Sequence, residues 1–143
     1  MPGSGIILTT INPSNNKVYF LLQYVFDRQH LEDFGGIKEP NQTFLETAIK
    51  EFIEETNNIL HISPKKIKDI IKKDGIKLST IDNRYHIFLI PVSSNYLNYD
   101  SKDFGEKEEY ENIRRVCMWL TVEDILQFKI HPRCKPFLNL FLN

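Results

Sequence analysis

Gly35-Gly36-Ile37-Lys38-Glu39-Pro40 and, a few residues on, Ala48-Ile49-Lys50-Glu51-Phe52-Ile53-Glu54-Glu55-Thr56-Asn57 form the stretch whose reading decides the fold. It reads as a glycine turn running into a helix. Thr43 suits the N-cap, and Glu46 three residues later completes a capping box. At about 100° per residue, Leu45, Ile49, Phe52 and Ile53 share one stripe, which is the core face. Glu51, Glu54 and Glu55 stand at i, i+3 and i+4 and gather on the opposite face. Asn57-Asn58 ends the helix, because asparagine tolerates the left-handed conformation.

Most glutamate-rich helix faces are merely solvated. Such faces usually interleave lysine at i±3 or i±4. Here Glu54 has Lys50 at that spacing, but Glu51 and Glu55 have no basic neighbour. The three carboxylates repel one another unless a cation lies among them. Hard oxygen donors grouped in this way suit Mg²⁺ or Mn²⁺. Adjacent glycines ahead of the helix permit positive φ and a close backbone approach to a ligand or metal.

With these residues in view, the segment resembles the Nudix box. That pattern runs Gly, five residues, Glu, seven residues, Arg-Glu, an aliphatic, any residue, Glu-Glu, any residue, Gly, an aliphatic. Aligned from Gly36, Glu51 takes the first helical Glu and Glu54-Glu55 take the pair, with no gap. Asp33-Phe34-Gly35-Gly36 and Thr47-Ala48-Ile49 also look like the family. The departures are Gln42 for Glu, Lys50 for Arg, Asn57 for the closing Gly and Asn58 for the aliphatic. Lys50 brings charge without a bidentate fork, and Gln42 brings hydrogen bonds without charge.

The resemblance implies a Nudix-like α/β/α sandwich with a mixed central sheet, as a single domain over residues 1–143. It implies a metal-dependent hydrolase of phosphoanhydride bonds, cleaving a nucleoside diphosphate linked to another moiety. Mg²⁺ or Mn²⁺ is the implied cofactor, held by the Gly36 carbonyl, Glu51, Glu54 and Glu55, with Lys50 orienting Glu51. Many Nudix enzymes carry a further loop carboxylate, and Glu111 is the favoured residue among Glu108, Glu109 and Glu111. Which of Glu51, Glu55 and Glu111 acts as base stays open. The substitutions keep a second reading open, a catalytically weakened Nudix-fold nucleotide-binding or sensor module.

Composition bounds the rest. The chain has 143 residues, 41% hydrophobic, enough for one domain with a real core. A net charge of −1 gives no bulk pull toward nucleic acid or anionic membrane. Cys117 and Cys134 have no metal-ligand spacing, so a reducing, cytoplasmic setting is expected. No apolar run approaches about 18 residues, so no membrane partner is expected. A small nucleotide is the expected partner. RNA is possible but not favoured, and a homodimer is possible by family habit.

Strands are expected over 5–11, 17–26, 84–92 and 113–120, with a hairpin turn at Asn12-Pro13-Ser14-Asn15-Asn16. Ser63-Pro64 opens a second helix with Ile67, Ile70 and Ile71 as its apolar face and Gly75 as its end. Thr121 caps a short helix, Pro132 opens a C-terminal one, and 93–111 reads as a long polar loop. Arg28 and His30 read as turn residues, with Arg28 a candidate clamp for a terminal phosphate. Tyr99, in the long loop, is a candidate to stack on a base, while such rings more often pin a loop to the core. Lys65, Lys66, Lys68, Lys72, Lys73 and Lys77 read first as a solvated helix face and second as a patch for RNA or another polyphosphate. His61, His86 and His131 read as isolated.

Overall fold

The computed structural model describes residues 1–142. In chain order it contains β1 (Gly3–Asn12), β2 (Lys17–Val25), β3 (His30–Glu32) and β4 (Phe34–Ile37). Then come α1 (Phe44–Glu55), α2 (Pro64–Asp74), β5 (Ile76–Ser79) and β6 (Tyr85–Pro91). A 3₁₀ turn at Ser94–Asn98, α3 (Ser101–Phe104), β7 (Lys107–Glu108) and β8 (Ile113–Leu120) follow. The chain closes with α4 (Val122–Ile125), a 3₁₀ turn at Pro132–Cys134 and α5 (Lys135–Leu138).

The strands run β5-β6-β1-β2-β8-β7, with β3 beside β2 and β4 beside the first half of β1. β1 and β6 are parallel and every other pairing between these strands is antiparallel, so the sheet is mixed. Successive strand residues point to opposite faces, and the core divides accordingly. Ile6, Leu8, Leu21 and Phe34 pack with Ala48, Ile49 and Phe52 of α1 and Ile67 of α2. Ile7, Phe20, Leu22 and Leu31 pack on the other face with Ile125 of α4 and Phe137 of α5. The architecture is the α/β/α sandwich that the sequence led one to expect.

α1 forms where its end signals place it. Thr43 accepts from the Glu46 amide while the Glu46 side chain accepts from the Thr43 amide. Asn57 and Asn58 both take positive φ at its end. Thr121 and Asp124 form the same reciprocal cap at α4, while Ser63 caps α2 by accepting from the Lys66 amide.

Four expectations change. Gly35 and Gly36 are not a turn and take no positive φ. They are extended in β4, paired with Gly5 and Ser4 of β1. His30 likewise belongs to a strand, β3. The polar loop after β6 holds a 3₁₀ turn, α3 and β7, because Asp100 caps α3 and β8 supplies a pairing edge. The C-terminal helix is a 3₁₀ turn followed by a single turn of α-helix.

Candidate active site

The carboxylates of α1 do not face open water. Residues 51 and 55 lie where α1 packs along β4. Glu55 Oε1 accepts from the Gly35 backbone amide at 3.0 Å and from the Gln23 side-chain amide at 2.8 Å. A β-carbon at Gly36 would lie 2.5 Å from Glu51 Oε1, so only glycine leaves the Glu51 carboxyl where it is. The close approach expected of the glycines is real, but it comes from an extended strand rather than from a turn.

Electrostatics makes the patch hungry for a cation. Burial, then the neighbouring Glu51, pushes the Glu55 carboxyl well above the ordinary glutamate range. Burial and Glu54 push Glu51 the same way. The Glu54 side chain is 15% exposed, and its Oε2 is buried without a hydrogen-bond partner. An unpartnered anionic oxygen beside two reluctantly ionised carboxyls is costly unless something positive joins them. Among the described residues, no three His, Cys, Asp or Glu side chains are already gathered at one point to hold a metal ion. The donor set nevertheless fits a hard divalent ion in chemistry and in its orphaned oxygen.

Lys50 does not pair with Glu51. Its ammonium lies 3.6 Å from Glu54 Oε1 and 3.5 Å from Glu39 Oε1. Lysine at i−4 of Glu54 is placed by helical spacing to meet that residue. Gln42 accepts from the Thr47 hydroxyl at 3.0 Å.

Asn57 does more than stop the helix. Its side-chain amide donates to the carbonyls of Phe104 and Lys107 at 2.9 and 3.0 Å, and its Oδ1 accepts from the Glu109 amide at 3.0 Å. It thereby ties the end of α1 to the segment carrying Glu108 and Glu111. Of these, Glu108 is buried, 3% exposed, with its carboxyl raised chiefly by burial. Glu108 Oε2 accepts from the Glu111 amide at 2.7 Å, while the Glu111 side chain is exposed. Buried Arg115 braces this segment from below, donating to the carbonyls of Gly105, Glu55 and Phe104.

Behind β4 lies a second ionic network. Fully buried Asp33 accepts from Arg133 Nε at 2.8 Å and from the Tyr85 hydroxyl at 2.6 Å. The Arg133 guanidinium stands 4.9 Å from the Tyr85 ring centre. Glu32, also buried, pairs with Arg28 at 2.6 Å and with Arg133 at 3.5 Å. Arg28 is thus held by Glu32 rather than left free. His131 is not isolated, since its ring lies 4.8 Å from that of His30. A groove of about 750 Å³ opens alongside, with Gly36, Ile37, Ile81, Arg84, Tyr85 and Arg133 among its walls.

Tyr99 lies away from this groove. It packs partly buried against the α1 side of the core, its ring 6.3 Å from that of Tyr96. Sequence reading passed over Gln23, Tyr85, Arg115 and Arg133. Nothing local marks them, although an arginine within the apolar run of β8 is a signal that Arg115 needs buried partners.

No protein-family profile matches this sequence, and no curated protein matches it. Solved structures do. The NUDIX domain of Shewanella oneidensis NrtR, complexed with ADP ribose, superposes with a TM-score of 0.58 at 11% identity, covering 96% of this chain and 82% of that one. A Nudix hydrolase from M. smegmatis, RenU, gives 0.56 at 12% identity over 98% and 83%. The C. elegans Ap4A hydrolase, in a binary complex, gives 0.55 at 15% identity over 97% and 94%. The chain has the Nudix fold.

Proposed function

We propose that this Nudix-fold chain is a metal-dependent hydrolase of a nucleoside diphosphate linked to another moiety. The observation that carries the reading is the carboxylate patch at Gly36. Three glutamates crowd one another there, one oxygen of Glu54 has no partner, and Gly36 of the strand beside them leaves the space that the Glu51 carboxyl fills. The fold supports it, since similar structures include an Ap4A hydrolase and a domain complexed with ADP ribose.

Gly36, through its carbonyl, and Glu51, Glu54 and Glu55 would hold Mg²⁺ or Mn²⁺, with Glu111 or the better buried Glu108 completing the set. Bound there, such an ion neutralises the diphosphate, acidifies a water and steadies the departing phosphate. The Gly35 amide and Gln23 keep Glu55 pointed at the patch. One of Glu51, Glu55 and Glu111 takes the proton of the attacking water. Lys50 tempers the charge of Glu54. The groove beside Gly36 receives the organic part of the substrate, with the Ile37 and Ile81 side chains exposed at its walls for a planar ring.

One observation favours a second reading. Lys50 already neutralises part of Glu54, which suits a nucleotide-binding module of weakened catalytic power. Phosphate or pyrophosphate release over a nucleotide panel with Mg²⁺ and then Mn²⁺, with Glu54→Gln as control, decides between the two. Turnover lost in the variant supports the hydrolase. Thermal stabilisation by nucleotide without any turnover supports the binding module.

A further inference from the structure

We infer that the outer face of α2, with the neighbouring edge strand β5, is a docking surface for a single-stranded polynucleotide. Residues 64–79 carry six lysines, Lys65, Lys66, Lys68, Lys72, Lys73 and Lys77, against two aspartates. That is a local charge of +4 on a chain whose net charge is −1. All six lysines are exposed. Among the described residues the one lysine in an ion pair is Lys50, so none of the six is matched by a carboxylate. Asp69 stands three or four residues from Lys65, Lys66, Lys72 and Lys73, but none of these lysines lies within ion-pair distance of it, and one acid cannot balance four bases. Unmatched cations on one face repel each other and are relieved by a polyanion.

A separate feature says which polyanion. Lys66 lines a polar hollow of about 730 Å³ together with Asn95, Tyr96, Asn98, Tyr99 and Asp103, whose carboxylate is engaged by the Asp100 amide at 2.8 Å. The two tyrosine rings lie 26° from parallel. Aromatic faces accept unpaired bases whatever their sequence, and amide side chains serve as both donors and acceptors for base edges. A cationic track leading into an aromatic and amide hollow matches a flexible strand with exposed bases. A duplex would keep its bases stacked and out of reach, and a bilayer would make no use of the amides.

The inference does not depend on the proposed hydrolase activity, because its readout needs neither metal nor turnover. The full chain is titrated against a labelled oligouridylate of about 20 nucleotides, and against oligothymidylate of equal length, by fluorescence anisotropy over a salt series. Vesicles containing phosphatidylserine form a third arm. Binding is expected with log K falling linearly in log salt, by about 0.7 per phosphate neutralised on a single strand. Replacing all six lysines by Ser is expected to weaken binding at least about tenfold and to flatten that slope. Tyr99→Leu, which keeps the apolar contact, is expected to weaken binding about tenfold at unchanged slope. A preference for uridylate over thymidylate assigns RNA, and equal binding assigns single strands of either sugar. The inference is overturned by no binding to either strand at low salt, by an unchanged six-lysine variant that still folds, or by binding to vesicles alone.

Discussion

Gly36 and Glu51 are in contact across the β4–α1 junction, so close that a β-carbon on the glycine would meet the glutamate carboxyl at 2.5 Å. Gly36→Ala is therefore expected to push the Glu51 carboxyl off its place while leaving β4 paired. Misplacement of a reacting group by about 1 Å costs on the order of 100-fold in rate. Activity should fall by that order with a much smaller loss of thermal stability. Equal losses in both would mean that the glycine serves the strand alone.

Glu54 is the glutamate whose buried Oε2 has no hydrogen-bond partner within the protein. Glu54→Gln removes the charge at constant shape. The rate is expected to drop at least about 100-fold, as for the loss of one preorganised electrostatic element. Mg²⁺-induced stabilisation should shrink in parallel. A fully active variant removes Glu54 from the reaction.

Asn57→Gly keeps a residue that tolerates positive φ at the end of α1 but removes three hydrogen bonds to the segment 104–109. We expect a stability loss of about 1–3 kcal/mol and a rate loss of about tenfold, as the acidic segment loosens from the patch. Urea unfolding and steady-state kinetics measure the two. An unchanged rate would detach Glu108 and Glu111 from the chemistry.

Glu51 and Glu55 both have their carboxyls raised in the fold, chiefly by burial and then by a neighbouring glutamate. Their contribution to stability is complete below the ordinary glutamate range, and it is lost as pH rises through their raised values. Divalent metal requires both to be ionised and releases their protons. The metal-induced rise in Tm is thus expected to grow between about pH 5 and about pH 8. A shift of equal size throughout that range would exclude these two glutamates from the metal set.

Arg133 is the cation that balances buried Asp33. Arg133→Leu leaves that carboxylate with the Tyr85 hydroxyl and the Cys134 thiol as its side-chain partners. Destabilisation of about 3–5 kcal/mol is expected, because an uncompensated charge remains buried. Adding Asp33→Asn should recover much of it, and a double-mutant cycle by urea unfolding reads the coupling. Strict additivity would mean that the pair is not coupled.

What the sequence could reveal lay in periodicity and end signals. β1, β2, β6 and β8 are long enough for their apolar runs to show, and β8 falls on 113–120 as read. The capping boxes of α1 and α4 and the Ser-Pro start of α2 fixed three helix starts. β3, β4, β5 and β7 are two to four residues long and carry no pattern of their own. They are strands because a neighbour offers its unpaired edge.

The sequence by itself determined which charged residues share one helix face, since helical spacing alone gathers Glu51, Glu54 and Glu55 with Lys50. Tertiary structure decided what surrounds them. It set Gly35 and Gly36 in an extended strand, turned Glu55 inward onto Gln23, and gave Lys50 to Glu54 and Glu39. It also buried Asp33 with an arginine 100 residues away. A helix face is fixed by a local repeat, whereas a partner across the sheet is fixed by which strands pair, and that is a property of the whole chain.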